Sequence, residues 1–86
     1  MKITLEDMRT AVAMCKYASI NWKACFCKEE IRQYSKDILL DKDVLKTYLT
    51  YLAEDIDTDR ITYHIYNDEA IDLYNKGNEI LKRMTA

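Results

Sequence analysis

The chain has 86 residues, a formal net charge of −2, a single glycine and no proline. Since domains centre at about 100–150 residues, a chain of this length is expected to form one domain, residues 1–86. Apolar residues make up 49% of the sequence and charged residues 33%, a composition that argues against intrinsic disorder and is typical of a small globular protein. Proline and glycine are the usual residues of turns and hairpins, so their scarcity favours a helical fold.

The composition also limits the compartments and partners to be expected. Charges interrupt the first seven residues and the apolar runs are short, so we expect neither a secretory signal nor a membrane span, which needs about 20 apolar residues. Three cysteines, an odd number, are untypical of a secreted disulfide scaffold and favour the reducing cytoplasm. Thirteen basic and fifteen acidic residues create no overall field that would attract a phosphate backbone, so nucleic acid is not the expected partner.

A first helix is predicted over residues 5–18. The sequence Thr4-Leu5-Glu6-Asp7 resembles a capping box in which Asp replaces the usual Glu. Behind it, apolar and small residues recur at steps of three and four, namely Leu5, Met8, Val12, Cys15, Ser19 and Trp22, widened by Ala11, Met14 and Ala18. This spacing is typical of a helix that buries one broad face.

Two further helices are predicted over residues 28–40 and 44–54. Their inward faces consist of Cys27, Ile31, Tyr34 and Ile38 in the earlier helix and of Leu45, Tyr48, Leu49 and Leu52 in the later one. Asp41-Lys42-Asp43 lies between them and offers an N-cap for the later helix. Because the two helices are closely linked, a helix-turn-helix DNA-binding regulator is one alternative, although these acidic residues oppose contacts with phosphates.

The last helix is predicted to begin after Asn67, which suits an N-cap, with acidic residues in its first turn. Its apolar stripe consists of Ala70, Tyr74, Gly77, Leu81 and Met84, flanked by Leu73 and Ile80. A glycine inside a helix costs about 1 kcal/mol relative to alanine, so Gly77 indicates that another helix or a ligand approaches the backbone closely. Tyr74, Gly77 and Leu81 are therefore predicted to form a helix-packing or oligomer interface.

Two segments have a pattern that fits either strand or helix. Apolar residues alternate with polar ones over residues 20–26, and residues 60–66 are rich in β-branched and aromatic side chains. Residues 54–59, which precede the second segment, are interpreted as an acidic loop. The predicted fold class is therefore mainly α, a small bundle of about four helices in which residues 60–66 are a candidate short strand. The alternative is an α+β domain that pairs residues 20–26 with 60–66.

The sequence contains two groups of metal-ligating residue types, and neither group has the pattern of a metal site. Asp55, Asp57 and Asp59 occupy the first, third and fifth positions of an EF-hand-like loop, but the sixth position is an arginine and the twelfth a tyrosine. The cysteines at positions 15, 25 and 27 and the sole histidine lack the paired spacings of zinc sites. No metal and no cofactor is expected.

The sequence also lacks a recognisable arrangement of catalytic residues. His64 is the only histidine, and Ser19 and Ser35 lack the flanking glycines of a nucleophile elbow. A lone glycine cannot form a phosphate-binding loop. We therefore expect a protein that is not an enzyme.

The tyrosines are the feature that points to a function. There are seven of them, more than a core of this size needs, and tyrosine offers a large contact area at interfaces. The predicted partner-binding residues are Tyr51, Asp55, Asp57, Asp59, Tyr63 and Tyr66. They predict a small cytoplasmic interaction module that binds a host protein as an inhibitor or adaptor, with a composition typical of phage and mobile-element genes. The alternative is a homo-oligomer that binds a nucleotide-like ligand.

Overall fold

Four α-helices account for most of the chain that the computed structural model describes, which is residues 2–21 and 28–85, without the side chains of residues 19, 21 and 28–32. The helices are α1 (Leu5–Asn21), α2 (Lys28–Leu40), α3 (Lys42–Thr62) and α4 (Asp68–Thr85). The described residues form no strand. The mainly helical fold class and the number of helices are confirmed.

The helices pack into a bundle in which each has its main contacts with two others. α1 packs on α2 and α4, and α3 packs on the same two helices. α1 and α4 are antiparallel, because Asp7 near the start of α1 bonds to Arg83 near the end of α4, whereas Tyr17 late in α1 bonds to Asn67, just before α4. The radius of gyration is 12.6 Å, close to the value of about 12 Å for a compact chain of this length.

Side chains cap the helices at the positions that the sequence predicts. Thr4 N–H donates to Asp7 Oδ2 at 3.0 Å and Asp7 N–H donates to Thr4 Oγ1 at 3.1 Å, which completes a reciprocal capping box. Asp41 Oδ1 accepts from the N–H of Asp43 at 2.9 Å at the start of α3. Asn67 Oδ1 accepts from the N–H of Ala70 at 3.2 Å at the start of α4. All three predicted caps are confirmed.

The third helix is longer than predicted, which corrects the interpretation of residues 54–66. Residues 54–59 are helical, not a loop, and α3 ends only at Thr62. The helix continues because its sequence contains no proline or glycine and because Ile56 extends the inward stripe of Leu49 and Leu52. Residues 60–66 are therefore not a strand. Of the proposed partner segment, residues 20–21 end α1 and residues 22–26 lie outside the described chain.

A tight reversal after α3 turns the chain into α4. His64 has a φ of 56°, the left-handed conformation that ends many helices. Asp59 O accepts hydrogen bonds from the N–H groups of Tyr63 at 3.1 Å and Ile65 at 2.9 Å. We call residues 61–66, the last residues of α3 and the start of this reversal, the corner segment.

The side of α1 that packs into the core is not centred on the predicted stripe of residues. Ala11, Met14 and Ala18 are buried, whereas Leu5 is 67% exposed and Val12 is only half-buried. The separation of packed helices depends on the side chains between them, and the small side chains of Ala11 and Ala18 allow a close approach on their side. Leu5 and Val12 consequently lie on the opposite side. Trp22 of the predicted stripe lies outside the described chain.

Two tyrosines that were predicted to face inward, Tyr34 and Tyr74, lie at the margins of the core rather than at its centre. On α2, Ser35 and Leu39 are buried beside Ile38, and Tyr34 is largely exposed instead of inward. On α4, Leu73 and Ile80 are buried, and Tyr74 is half-buried. A tyrosine at the margin buries its ring and keeps its hydroxyl near polar partners, which explains the difference from the predicted stripes. On α3, Leu45, Leu49 and Leu52 are buried as predicted.

Candidate functional site

One face of α3 carries a tyrosine and two of the three predicted aspartates in a row. Tyr51, Asp55 and Asp59 follow one another at intervals of four residues, so they lie along the same side of the helix. Asp57 is two residues from each aspartate, about 200° around the helix, and pairs with Arg60 at 3.1 Å. The structure therefore brings Asp55 and Asp59 together with Tyr51 and places Asp57 on another face.

A buried tyrosine of α1 joins this row to the start of α4. Tyr17 is 6% exposed, and its hydroxyl accepts a hydrogen bond from Asn67 Nδ2 at 3.1 Å. Burial raises the pKa of Tyr17, and the nearby carboxylates of Asp55, Asp59 and Glu69 raise it further. Carboxylates of two helices, α3 and α4, therefore favour the neutral form of this phenol.

Two more tyrosines lie near the other end of the row. Tyr48 of α3 is half-buried, and burial raises its pKa, with smaller contributions from Cys15, Tyr34 and Tyr51. Tyr34 belongs to α2, so tyrosines of two helices influence the pKa of Tyr48. Both Tyr34 and Tyr51 remain substantially exposed.

The corner segment presents four large side chains to solvent. Ile61 is 67% exposed, Tyr63 62%, Ile65 55% and Tyr66 71%. From Tyr51 to Tyr63 the helix rises about 18 Å, so the predicted residues other than Asp57 are spread over an elongated region and not gathered in a pocket. We call Tyr51, Asp55, Asp59, Tyr63 and Tyr66 the acidic tyrosine surface.

Charge is strongly segregated along the chain, and the acidic tyrosine surface lies in its negative part. Residues 54–72 contain seven acidic residues and one basic residue, which gives this segment a formal charge of −6. The rest of the chain has eight acidic and twelve basic residues and a formal charge of +4. The small net charge of −2 therefore conceals a strongly negative region around the end of α3 and the start of α4.

The residues predicted to form a helix-packing or oligomer interface, Tyr74, Gly77 and Leu81, lie where α4 packs on α3. A Cβ atom added to Gly77 would lie 2.6 Å from Leu49 Cδ2 and 3.6 Å from Met14 Sδ, so both side chains occupy the space beside the glycine. Tyr74 and Leu81 are half-buried and line an open groove along the same two helices. Gly77 is thus at a helix contact inside the bundle, while Tyr74 and Leu81 lie at its edge.

The geometry of the described residues offers little for metal or thiol chemistry. Within residues 2–21 and 28–85, no three His, Cys, Asp or Glu side chains are grouped so that they could hold a metal ion. Burial raises the pKa of Cys15 to about 11, so its thiol stays protonated at neutral pH. The cysteines at positions 25 and 27 lie outside the described chain.

Two further observations concern the helix-turn-helix alternative and the prediction that the chain has no membrane span. Asp41 alone separates α2 from α3, a shorter link than the turn of about three or four residues in a helix-turn-helix motif. In the described part of the chain, none of the helices combines the length and the apolar character that crossing a membrane requires.

Tyr17 lies within electrostatic reach of Asp55 and Asp59, two residues of the acidic tyrosine surface, although the sequence analysis did not assign it to that surface. Tyr17 falls outside the inward stripe predicted for α1, so its burial differs from the expectation, and a buried phenol needs a hydrogen-bond partner. No local pattern links it to Asn67, fifty residues later.

Compared with known protein families, curated proteins and solved structures, the chain shows no significant match.

Proposed function

We propose that this protein is a cytoplasmic interaction module, an inhibitor or adaptor that binds a basic patch of a partner protein through the acidic tyrosine surface. The observation that carries the proposal is the juxtaposition of exposed tyrosines with a row of carboxylates in a segment of charge −6. A partner of opposite charge is favoured because complementary potentials speed encounter and exclude wrong partners.

The surface has the two components that protein interfaces commonly combine. Tyr63 and Tyr66 supply exposed aromatic area with a polar end, and few rotatable bonds have to be fixed when they bind. Asp55 and Asp59 supply charge from a helix, whose backbone holds them at a fixed spacing. The tyrosines are therefore expected to supply most of the binding free energy and the carboxylates the charge selectivity.

The double variant Tyr63→Ala/Tyr66→Ala tests the proposal. Affinity capture from the native host with the wild-type chain as bait is expected to retain a basic protein that elutes as the salt concentration rises. The double variant is expected to lose that protein while circular dichroism and thermal unfolding stay unchanged, since both side chains are exposed. Leu40→Ala removes another exposed apolar side chain and serves as the control. Undiminished capture by the double variant would count against the proposal.

The nucleotide-binding alternative receives no support from the surroundings of Gly77. That alternative rests on Gly77 in an apolar stripe and on tyrosines whose rings could stack on a base, and the side chains of Leu49 and Met14 occupy the space beside Gly77. Thermal unfolding in the presence of a panel of nucleotides separates the two functions, because a ligand that binds the folded state raises the unfolding temperature. The interaction module is expected to show no such shift.

A further inference from the structure

All six side chains of the corner segment are exposed, so none of them anchors it in the core. His64 at its centre has a φ of 56°, in the left-handed region, which is unfavourable for residues other than glycine. A strained backbone conformation persists only where the surrounding structure holds it. The shape of the corner segment therefore depends on the hydrogen bonds that hold its backbone in place.

The first of these bonds tie the corner segment to α3 alone. Asp59 O accepts from the N–H groups of Tyr63 at 3.1 Å and of Ile65 at 2.9 Å. Both bonds fold the chain back onto the helix that it has just left, and they do not fix how the turn is oriented relative to the other helices. That orientation requires a second anchor.

The side chain of Asn67, the residue directly after the corner segment, provides this second anchor. Its Oδ1 atom accepts from the N–H of Ala70 at 3.2 Å at the start of α4. Its Nδ2 atom donates to the hydroxyl of Tyr17 at 3.1 Å. Tyr17 is only 6% exposed, so a buried group of α1 holds the end of the exposed segment.

We propose that Tyr17 is a positioning residue of the acidic tyrosine surface, and that through Asn67 it holds Tyr63 and Tyr66 in the arrangement that the partner binds. This inference rests on the proposed function, which requires both exposed tyrosines to contact the partner. Tyr17 is buried, so it acts without touching the partner. Its contribution arises because a segment that is ordered before binding loses less conformational freedom when it binds.

Two variants remove this hydrogen bond from opposite sides. Tyr17→Phe removes the hydroxyl that accepts it, and Asn67→Ser removes the amide that donates it, while the serine still offers a side-chain oxygen to cap α4. Burial and nearby carboxylates raise the pKa of Tyr17, so its phenol is neutral at neutral pH and Tyr17→Phe leaves the charge of the surface unchanged. Tyr74→Phe removes the hydroxyl of a half-buried tyrosine of α4 and is the matched control.

Amide hydrogen exchange of the free protein is the first measurement. The amides of Tyr63 and Ile65 report on the corner segment, and the amide of Leu45, which bonds to Asp41 O, reports on the opposite end of α3. In both variants the two corner amides are expected to exchange at least about threefold faster than in the wild type, with Leu45 unchanged. An equal acceleration of all three amides, or none at the corner, would overturn the proposal, because the bond would then not position the corner segment.

The second measurement is the affinity for the basic protein that the wild-type chain captures from the host, after that protein has been purified. Each single variant is expected to bind it at least about fivefold more weakly than the wild type and the control do. The double variant Tyr17→Phe/Asn67→Ser is expected to bind no more weakly than the weaker single variant, because both changes remove the same bond. Additive losses in the double variant would contradict the positioning role.

The positioning role and the proposed function fail in different ways. If Tyr17→Phe and Asn67→Ser bind as well as the wild type while Tyr63→Ala/Tyr66→Ala does not bind, the positioning role is wrong and the proposed function stands. Undiminished binding by Tyr63→Ala/Tyr66→Ala, or a wild-type chain that captures no basic protein, contradicts the proposed function and the positioning role with it.

Discussion

The carboxylate of Asp7 connects the start of α1 with the end of α4. It accepts from the backbone N–H of Thr4 at 3.0 Å and from the guanidinium of Arg83. The residue is only 5% exposed. The hydrogen bond from Arg83 lowers the pKa of this carboxyl, burial opposes the shift, and the bonds with Thr4 lower the pKa further.

The free energy of unfolding is expected to depend on the charge of Asp7. A pKa lower in the folded state than in the unfolded chain, where Asp titrates near about 3.9, stabilises the fold above that pH. This contribution is lost as the pH falls through the folded-state pKa. Asp7→Asn is expected to lower the free energy of unfolding at neutral pH by about 1–2 kcal/mol. In a plot of that free energy against pH, the decrease toward acid pH (the acid limb) is expected to be less steep in the variant.

Urea denaturation over a series of pH values measures both effects. Glu6→Gln is the control, since it removes a neighbouring carboxylate whose pair with Arg9 is exposed and contributes about 0–1 kcal/mol. An acid limb that is equally steep in the wild type and in Asp7→Asn would assign the acid sensitivity to other groups.

At the scale of elements, the contact of α3 with α4 depends on the absence of a side chain at Gly77. An alanine there gains about 1 kcal/mol of helix propensity, but its Cβ would lie 2.6 Å from Leu49 Cδ2 in the core. Overpacking costs about 1–3 kcal/mol, so Gly77→Ala is expected to lower the free energy of unfolding by about 1 kcal/mol. In the Leu49→Ala background the obstructing atoms are gone, and the same substitution is expected to stabilise the protein.

Urea denaturation of the four chains in this double-mutant cycle provides the measurement. Asn75→Ala is the control, because it raises helix propensity at an exposed position of α4 and is expected to act equally in both backgrounds. If Gly77→Ala had the same sign with and without the Leu49 side chain, close packing would not be the reason for the glycine.

Local interactions made most of the fold predictable from the sequence. The caps at Thr4, Asp41 and Asn67 use side chains two or three residues from the backbone groups they bind, so short motifs identified them. The end of α3 was misplaced because acidic and β-branched residues resemble a loop and a strand when their neighbours are unknown. Tertiary packing of Ile56 against the core overrides that local preference.

The candidate site was predictable only in part, for the same reason. Tyr51, Tyr63 and Tyr66 are exposed, as residues that contact a partner have to be. Asp57 was grouped with its neighbours because a loop would bring all three aspartates together, whereas a helix turns it away. The contact of Tyr17 with Asn67 depends on how α1 lies against α4, which no short pattern encodes.

At the scale of the whole molecule, negative and positive charges are concentrated in different parts of the chain, and this separation affects how the protein is expected to bind a partner. A segment of charge −6 beside a remainder of charge +4 makes the protein electrostatically polar while its net charge stays small. Long-range steering toward a basic surface then depends strongly on ionic strength.

The most direct test of the proposed function compares the partner affinities of two variants of equal charge. Asp55→Asn/Asp59→Asn neutralises the row on the acidic tyrosine surface, and Asp57→Asn/Asp72→Asn neutralises two exposed carboxylates that pair with Arg60 and Lys76. At the same ionic strength we expect the first variant to bind at least about tenfold more weakly than the wild type, equivalent to about 1.4 kcal/mol, and the second to bind nearly as well. Equal losses in both would contradict the account, because only total charge would then matter.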